Sequence, residues 1–575
     1  MNVSNTIAPK KMHTNMPDYD EARANFSWSD VEKSFSWHET GRVNMAHEAI
    51  DRHTKNWRRN KVALYYSDNQ RDEKYTFQDM KFLSNKFGNV LRDMGIQKGD
   101  RVFLFLPRSP ELYVSLLGTL KIGAIVGPLF EAFMEQAVRD RLDNSDASVL
   151  ITTAELLPRV PYKELPHLEH IVLVGGGDAP KDANTKFYHY ENKMDEASRD
   201  LEIEWVDRED GMILHYTSGS TGKPKGVLHV HNAMIQQYQT AKWIMDLKED
   251  DIYWCTADPG WVTGTSYGVF GPWLNGVSNL IRGGRFSPED WYGTIEKYRV
   301  SVWLSAPTAF RKLMGAGDEV VNNFDLTSLR HVLSVGEPLN AEVVHWGTKV
   351  YGLRIHDHWW MTETGGVIIA NYPSMVMKPG SMGRPFPGVE AAILDNEGNE
   401  LPPGQMGKLC IKAGWPSMLR TVWKNEERFN QYFPFEGWFD SGDLASMDDE
   451  GYFWFEGRDD DVIQTSGERV GPFEVESKLV EHPSVAEAAV IGKPDPVRGH
   501  IIKAFVALKA GYSASDDLEK ELSLFVKKGL AAHAAPREIE IRDSLPKTRS
   551  GKIMRRVLKA WELDLPTGDL STMED

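Results

Sequence analysis

Short apolar runs of strand length alternate along this chain with segments whose apolar residues recur at helical spacing. The clearest runs are Val102–Leu106, Ser148–Thr152, His170–Val174, Ser301–Leu304 and His331–Val335. Runs that are apolar on both faces and alternate with helices are typical of parallel sheets covered by helices. We therefore predict an α/β fold, in which the loops at the carboxyl ends of the strands form the default ligand site.

The pattern changes near Asp459–Asp461, where three consecutive acidic residues predict an exposed joint because they are difficult to bury together. Strand-like runs follow at Ala488–Ile491, Ile502–Val506 and Glu538–Ile541, with a helix around Asp516–Gly529. With 575 residues, the chain exceeds one hydrophobic core. The predicted parts are a disordered or extended segment (residues 1–25), a large N-terminal domain of helix-covered sheets (residues 26–459) and a small mobile α+β C-terminal domain (residues 460–575).

Charge and cysteine content exclude several classes of partner and location. The net charge of −17 argues against nucleic acid or an anionic membrane surface as a partner. Only Cys255 and Cys410 occur, so we expect no disulfide framework and a reducing cytoplasmic location. The most apolar stretch, residues 102–133, is interrupted by charged residues, and the first residues are polar. We therefore expect a soluble protein with no signal peptide and no membrane span.

The segment Tyr216–Gly226 reads YTSGSTGKPKG and follows the strand-like run Met212–His215. Its glycines allow close approach of a ligand, and its hydroxyls, amides and lysines suit a polyphosphate. It is not a Walker A loop, because Pro224 follows Lys223 where that loop has Ser or Thr and then a helix. A flexible surface loop is the alternative interpretation. The residues predicted to contact phosphate are Thr217, Ser218, Gly219, Ser220, Thr221, Gly222, Lys223 and Lys225.

Further strings follow the phosphate loop in a fixed order. They are Gly336-Glu337-Pro338, Trp359–Gly365, Ser441-Gly442-Asp443, Gly457-Arg458, Ser466–Arg469 and Pro546–Lys552. Each string alone is weak evidence, but the ordered set is specific. From about residue 26 to the C-terminus, the chain resembles the acyl-adenylate-forming synthetases, most closely the acetyl-CoA synthetases in their shorter bacterial form.

This resemblance implies a two-step reaction with ATP, Mg²⁺ and coenzyme A. Acetate attacks the α-phosphate of ATP to give acetyl-adenylate and pyrophosphate, and the CoA thiol then displaces AMP to give acetyl-CoA. Three alternatives stay open at this point. They are a related ligase for propionate or other short- and medium-chain acids, a phosphate-loop NTPase or kinase that releases ADP, and a non-catalytic nucleotide-binding scaffold.

The resemblance also implies which residues bind the nucleotide and act in catalysis. The implied ATP and AMP contacts, besides the phosphate loop, are Gly336, Glu337, Pro338, Asp357, His358, Trp359, Trp360, Met361, Thr362, Asp443, Arg458 and Arg469. The implied catalytic residues are Lys552, Trp360, Thr362 and Glu363. The compact charge of Lys552 suits two reacting anions. Acetylation would remove this charge, so a protein acetyltransferase and a deacetylase are further expected partners.

The remaining implied sites concern the acyl group, CoA, the metal and the domain hinge. The implied acyl-pocket residues are Val262, Thr263, Val335 and Trp360. The implied CoA contacts are Arg159, Thr263, Ser466, Gly467 and Lys527, and the implied hinge is Asp460. The implied metal contacts are Glu363 and Thr221 for Mg²⁺, with Val480, His482 and Val485 at a second cation site. For His482, an ordinary loop histidine is the alternative.

Overall fold

The computed structural model describes residues 6–9, 13–178, 180–181, 184–218, 224–465, 468–496, 498–548, 553–567, 570 and 573. The side chains of residues 39, 218, 460, 468 and 469 lie outside this description.

The strands fall into a large N-terminal part and a small C-terminal part. The N-terminal part contains β1 (Val62–Ser67), β2 (Asp72–Thr76), β3 (Arg101–Phe105), β4 (Ile125–Leu129), β5 (Val149–Thr153), β6 (His170–Val174), β7 (Lys186–His189), β8 (Gly211–Ser218), β9 (Pro224–Val230), β10 (Ile252–Cys255), β11 (Ser278–Arg282), β12 (Val302–Ser305), β13 (His331–Ser334), β14 (Ile355–Trp359), β15 (Ile369–Ala370), β16 (Arg384–Pro385), β17 (Ala391–Leu394), β18 (Gly407–Lys412), β19 (Thr421–Val422), β20 (Trp438–Met447) and β21 (Phe453–Arg458). The C-terminal part contains β22 (Ile463–Thr465), β23 (Glu468–Val470), β24 (Val485–Asp495), β25 (Gly499–Leu508) and β26 (Glu538–Ile541).

The α-helices are divided in the same way. The N-terminal part contains α1 (Tyr19–Asn25), α2 (Trp28–Glu32), α3 (Trp37–Thr40), α4 (Met45–Ala49), α5 (Phe77–Asp93), α6 (Pro110–Lys121), α7 (Glu135–Ser145), α8 (Tyr190–Glu196), α9 (Ala233–Trp243), α10 (Val262–Thr265), α11 (Gly271–Leu274), α12 (Pro288–Tyr298), α13 (Pro307–Ala316), α14 (Ala341–Val350) and α15 (Glu426–Asn430). The C-terminal part contains α16 (Pro472–Val480), α17 (Asp516–Gly529) and α18 (Arg555–Glu562). In the described ranges, no helix has both the length and the apolar character needed to cross a membrane.

Two sheets with parallel centres form the large part. One has the strand order β16-β15-β14-β13-β12-β10-β11-β1-β2 and is parallel from β14 to β1. The other has the order β19-β9-β8-β4-β3-β5-β6-β7 and is parallel from β8 to β7. An antiparallel sheet, β17-β18-β20-β21, follows them. The small part is built on β23-β22-β25-β24, with β26 parallel to β25.

The predicted fold class is confirmed: a large α/β domain of helix-covered sheets precedes a smaller C-terminal domain. The five strand-like runs named first correspond to β3, β5, β6, β12 and β13, which all lie in the parallel parts of the sheets. The predicted helix at 516–529 is α17. The antiparallel sheet β17-β18-β20-β21 was not predicted, because strands such as β20 mix polar with apolar residues and lack the continuous apolar runs of buried parallel strands.

Helices α5 and α6 cross at two glycines within the core shared by β1 and β3. A Cβ atom on Gly118 would lie 2.8 Å from the carbonyl oxygen of Ser84 and 2.9 Å from the Cβ of Phe87. On the facing helix, a Cβ on Gly88 would lie 3.3 Å from the carbonyl oxygen of Gly118. The backbones therefore approach too closely for larger residues at the crossing.

The N-terminal segment is packed against the large domain, so the prediction that residues 1–25 are disordered or extended is wrong for its later half. Tyr19–Asn25 forms α1, with Asp18 as its N-cap. Met16 is buried, and the Tyr19 hydroxyl donates to the carbonyl of Pro385 at 2.6 Å. The stretch is polar on average, but Met16 and Tyr19 are buried in the core of the large domain. Such tertiary contacts cannot be predicted from local composition.

A buried ion pair lies at the C-terminal end of α6. The Lys121 ammonium group donates to Asp51 Oδ1 at 2.7 Å and to Asn85 Oδ1 at 2.7 Å, and its side chain is 0% exposed. Burial lowers the pKa of Lys121, and Asp51 opposes this shift. Lys121→Met would leave the Asp51 carboxylate buried without its cation. We expect a loss of about 3–5 kcal/mol in the free energy of unfolding, measured by urea denaturation.

The matched control is Lys349→Met. Lys349 pairs with Asp318 at 2.6 Å, but its side chain is 73% exposed. An exposed pair of this kind contributes at most about 1 kcal/mol. Equal losses for the two variants would contradict the role of burial at Lys121.

Candidate active site

The predicted phosphate loop connects β8 to β9 as an antiparallel hairpin. Tyr216 pairs with Gly226, and Thr217 pairs with Lys225. Residues 219–223 lie outside the described residues, as does the side chain of Ser218. The hairpin thus leaves the carboxyl end of β8, which is parallel to its neighbour β4, and returns along β9, which lies between β8 and the short edge strand β19. Pro224 is tolerated there because it opens the strand.

Lys225 lies at the base of the hairpin. It is close to Glu363, which belongs to the turn that follows β14. Lys225 Nζ lies 3.3 Å from Glu363 Oε1. Tyr432 joins the pair: its hydroxyl accepts from Lys225 Nζ at 2.6 Å and donates to Glu363 Oε1 at 2.6 Å. The side chains of Lys225 and Glu363 are 12% and 5% exposed, so the charges are largely removed from water.

The electrostatics of this cluster keep Glu363 ionised. Burial alone would raise the pKa of Glu363, but the charge of Lys225 and the hydroxyl of Tyr432 outweigh burial and lower it. Burial also lowers the pKa of Lys225, and Glu363 opposes that shift. The pKa of the Tyr432 hydroxyl is raised by burial and then by Glu363, so this hydroxyl stays protonated and can donate.

Glu363 is held by a tight turn after β14. Thr362–Thr364 forms one 3₁₀ turn, and Gly365 follows with φ +68°. A Cβ atom on Gly365 would lie 2.2 Å from the carbonyl oxygen of Ser417, so only glycine fits there. The ring of buried His229 lies between the same two segments, with Nε2 2.7 Å from the carbonyl oxygen of Thr362 and Nδ1 3.1 Å from that of Ser417.

A second chain of contacts joins β14 to the antiparallel sheet. Trp359 Nε1 donates to Asp443 Oδ2 at 2.9 Å, and Arg458 donates to Asp443 Oδ1 at 2.9 Å. Asp443 on β20 and Arg458 on β21 are also cross-strand partners. The structure therefore brings these three predicted nucleotide residues together.

The predicted adenine loop begins at Gly336, which has φ +99°. Behind it, the Glu337 carboxylate accepts from the Thr308 hydroxyl at 2.8 Å and from Arg311 at 2.5 Å. These contacts fix the loop to α13. Neither Thr308 nor Arg311 was among the predicted site residues.

Strand β14 carries two buried ionisable groups of the predicted set. Burial raises the pKa of Asp357 well above its usual value, and Oδ1 of this residue has no hydrogen-bond partner among the described groups. Burial lowers the pKa of His358 to about 3, so this ring is neutral at pH 7. Trp360, Met361 and Thr362 follow the end of the strand.

The predicted acyl residues lie in one apolar cluster. Val262, Val335 and Trp360 are buried together, and Trp360 is 8% exposed. The ring of Tyr267 meets Trp360 edge-on, with centroids 5.0 Å apart and an interplanar angle of 87°. Thr263 follows Val262 on α10 and is half-buried. The indole therefore closes an apolar wall beside the carboxyl end of β14.

The predicted CoA residues are not brought together in the described part. Arg159 donates to the carbonyl of Glu131 at 3.1 Å, whereas Lys527 is exposed on α17 of the small domain. Ser466 and Gly467 lie outside the described residues. For Arg469 and the predicted hinge Asp460, the backbone lies in β23 and in the 3₁₀ turn Asp459–Asp461, and their side chains are not described.

The predicted second cation site lies at the end of α16. The His482 ring contacts Ser484 Oγ at 2.8 Å and Glu521 Oε1 at 3.3 Å, and its carbonyl accepts from the Val485 amide at 3.0 Å. Val480 is the last residue of α16. The described residues contain no group of three or more His, Cys, Asp or Glu side chains suited to a metal ion.

The predicted catalytic Lys552 falls in residues 549–552, outside the described residues, but the flanks of this segment are described. Lys547 and Ile553 form a β-bridge, and the Met554 amide donates to the carbonyl of Pro546 at 2.8 Å. Next to it, Arg555 donates to Glu476 of α16 at 2.6 Å. The two ends of the lysine segment are thus fixed to the small domain.

Tyr432 and His229 contact predicted site residues but were not predicted themselves. Tyr432 lies 69 residues from Glu363, and His229 lies 133 residues from Thr362. Neither belongs to a recognisable string, and single tyrosines and histidines in apolar surroundings are usually part of a core. No local sequence signal could have identified them.

Two protein-family models match the chain. The model described as AMP-binding enzyme matches residues 50–423, and the model described as AMP-binding enzyme C-terminal domain matches residues 474–552. The chain is 68% identical over 562 residues to the acetyl-coenzyme A synthetase of Bacillus subtilis (strain 168), and the matched region covers 98% of each chain. It is 41% identical over 565 residues to the acetyl-coenzyme A synthetase of Rubrobacter xylanophilus, covering 94% of this chain and 88% of that one.

Solved structures with the same architecture include two ligases. A crystal structure of a Brucella canis acyl-CoA synthetase has a TM-score of 0.75 at 36% identity and covers 96% of this chain and 99% of that one. The crystal structure of an anthranilate CoA ligase in complex with anthranoyl-AMP has a TM-score of 0.82 at 31% identity and covers 90% of this chain and 97% of that one.

Proposed function

This chain belongs to the AMP-binding enzyme family, and we propose from this premise that it is an AMP-forming acetate–CoA ligase. The observation that carries the proposal is the match over 98% of the chain to an acetyl-coenzyme A synthetase at 68% identity. The geometry supports it, since Lys225 of the hairpin lies 3.3 Å from Glu363, in the turn that follows β14 and the buried Trp360.

The reaction couples two displacements. In the first, a carboxylate oxygen of acetate attacks the α-phosphorus of ATP, and the bond to the pyrophosphate oxygen breaks. In the second, the sulfur of CoA attacks the acyl carbon of acetyl-adenylate, the thiol proton is released, and AMP leaves. The first step gathers negative charge, so catalysis depends on positioned cations and hydrogen-bond donors.

The nucleotide roles follow from where the groups lie. Asp443, held by Trp359 and Arg458, is proposed to accept the ribose hydroxyls, because a fixed carboxylate suits a pair of hydroxyl donors. The Gly336 loop is proposed to line the adenine. Lys225 and the hairpin are proposed to bind the β- and γ-phosphates.

The ionised, buried Glu363 carboxylate fits Mg²⁺, which prefers one or two carboxylates and takes its other ligands from phosphates and water. Glu363 would hold the ion, with Thr221 as a second contact. The ion would neutralise adjacent phosphate charge. A second cation at Val480, His482 and Val485 stays a prediction that rests on the resemblance alone.

The acyl wall gives a prediction about substrate choice. Trp360→Gly would remove the indole from the cluster of Val262 and Val335 and extend the pocket. We expect kcat/KM for butyrate and longer acids to rise by about tenfold or more while that for acetate falls, because each added methylene becomes buried. For the wild type, kcat/KM should be lower for propionate than for acetate, by a factor that corresponds to about 1–3 kcal/mol of activation free energy. Initial rates of acyl-CoA formation on a series of linear acids measure both.

Trp57→Gly is the matched control, since Trp57 is 63% exposed. It should leave the chain-length preference unchanged. If Trp360→Gly gains nothing on butyrate or longer acids, Trp360 does not limit the pocket.

The small domain must present different groups to the two steps. In this structure it contacts the large domain through α16: Asn340 Nδ2 donates to Ser477 Oγ at 2.9 Å. We propose that it rotates about Asp460 between the steps, withdrawing Lys552 and bringing Gly467 to the path of the CoA thiol. Arg159 and Lys527 would then approach the CoA phosphates.

We also propose a cytoplasmic location and regulation at Lys552. Both cysteines are buried and unpaired, as expected for a reducing compartment. Acetylation of Lys552 by an acetyltransferase would remove the cation used in the first step, and a deacetylase would restore it.

One assay tests the proposed function against its alternatives. Purified protein is incubated with ATP, Mg²⁺ and a panel of carboxylates, with and without CoA, and the products are identified. We expect acetate-dependent ATP–pyrophosphate exchange without CoA, and AMP with acetyl-CoA when CoA is added. Release of ADP would favour a kinase or NTPase, and no exchange with any acid would favour a binding scaffold.

A further inference from the structure

Tyr432 lies where three elements of the candidate site meet. It follows α15, and its carbonyl accepts from the Asp440 amide of β20 at 2.8 Å. Its ring stacks on Phe439, with centroids 5.2 Å apart and an interplanar angle of 17°. The residue is 4% exposed. The backbone bond and the ring contact together fix the direction in which the hydroxyl points.

The hydroxyl group forms a directed chain between two charges. Lys225 Nζ donates to the oxygen of Tyr432 at 2.6 Å, and the hydroxyl donates to Glu363 Oε1 at 2.6 Å. Both bonds involve a charged partner and are therefore the stronger kind of hydrogen bond. The direct contact between Lys225 and Glu363 is longer, at 3.3 Å. The tyrosine hydroxyl is thus the closest partner of each charge within the described cluster.

The cluster would otherwise be poorly ordered. A lysine side chain has four flexible torsions, and a single ammonium–carboxylate contact fixes them weakly. With the hydroxyl present, Lys225 and Glu363 are held in one arrangement before any phosphate arrives. Such preorganisation improves binding because fewer side-chain torsions have to be ordered when the ligand binds.

We propose that Tyr432 is a positioning residue for the polyphosphate of ATP: its hydroxyl orders Lys225 and Glu363 at the base of the hairpin. This inference rests on the proposed function, since it takes the hairpin to be the ATP site. Tyr432 acts through its two neighbours and does not itself contact the reacting atoms. Its removal should therefore weaken the binding of ATP and leave the binding of acetate and CoA unaffected.

The test is Tyr432→Phe, which keeps the ring on Phe439 and removes one oxygen atom. We expect the Kd for Mg·ATP, measured by titration calorimetry without acetate so that no adenylate forms, to rise about tenfold. The KM for ATP should rise by a similar factor, and the KM values for acetate and CoA should stay within about twofold. An unchanged Kd for Mg·ATP, or equal increases in all three KM values, would overturn the inference.

Two further variants separate this role from general effects. Tyr292→Phe is the matched control: Tyr292 is a buried tyrosine whose hydroxyl pairs with that of Tyr351 at 2.8 Å, away from the site. It should leave the Kd for Mg·ATP unchanged. In a Glu363→Gln background, Tyr432→Phe should raise the Kd by clearly less than tenfold, because the hydroxyl acts through Glu363. A full tenfold increase in that background would also overturn the inference.

Measurements on the wild type distinguish a failure of the Tyr432 inference from a failure of the proposed function. If wild-type protein shows acetate-dependent ATP–pyrophosphate exchange but Tyr432→Phe binds Mg·ATP normally, only the role of Tyr432 is rejected. If the wild type shows no such exchange with any acid, the proposed function itself is rejected.

Discussion

Lys552→Ala is expected to lower the rate of acetyl-adenylate formation by about 100-fold to 1,000-fold or more. The reason is electrostatic: acetate and the α-phosphate are both anions, and the proposed role of Lys552 is to neutralise them as they approach. Acetate-dependent ATP–pyrophosphate exchange in the absence of CoA measures this step alone. The residues that flank this segment are paired with each other, since Lys547 and Ile553 form a β-bridge.

The second half-reaction is the internal control for this variant. Conversion of supplied acetyl-adenylate and CoA to acetyl-CoA should continue at a near-normal rate, because the proposed role of Lys552 is confined to the first step. Lys559→Ala, at an exposed lysine of α18, should leave both steps unchanged. Enzymatic acetylation of the wild type should reproduce the Lys552→Ala result, and deacetylation should reverse it. Pyrophosphate exchange at a near-normal rate in Lys552→Ala would reject the assignment.

Glu363→Gln is expected to lower kcat/KM for ATP by at least about 100-fold. Glutamine is neutral, so it can neither neutralise the buried Lys225 nor hold Mg²⁺ as a carboxylate does. The change should also raise the Mg²⁺ concentration needed for half-maximal rate. Steady-state rates over a matrix of ATP and Mg²⁺ concentrations measure both effects.

The control for this change is Glu427→Gln at an exposed position of α15. It removes the same charge from the helix that precedes Tyr432, and surface changes of this kind have little effect. Activity within about twofold of the wild type in Glu363→Gln would mean that Glu363 neither binds the metal nor balances Lys225 during the reaction.

The sequence predicted β3, β5, β6, β12 and β13 because each contains a continuous apolar run, as β3 and β5 illustrate. The sequence did not predict that the phosphate loop joins two antiparallel strands, β8 and β9. Pro224 argues against a helix after the loop, but it does not indicate that a strand pairing with β8 follows. The ordering of Tyr19 was missed because its partner, the carbonyl of Pro385, is 366 residues away. Backbone partners at such separations leave no trace in local composition.

For the candidate site, the ordered strings predicted residues that the structure brings together, among them Trp359, Asp443 and Arg458. Their roles stay proposals. The residues that hold them in place, such as Tyr432 and His229, were not predictable, because a supporting contact depends on three-dimensional placement and can be made by many residue types.

Asn340, which contacts the small domain, lies between the proposed adenine loop and helix α14. Pro338 and Asn340 are two positions apart, and Asn340 donates to Ser477 of α16. A nucleotide bound to the proposed adenine loop and the docked small domain would therefore contact the same short stretch of backbone. By thermodynamic reciprocity, the factor by which docking alters nucleotide affinity equals the factor by which the nucleotide alters docking. The adenine moiety, remote from the acyl chemistry, would thereby help to time the exchange of one half-reaction for the other.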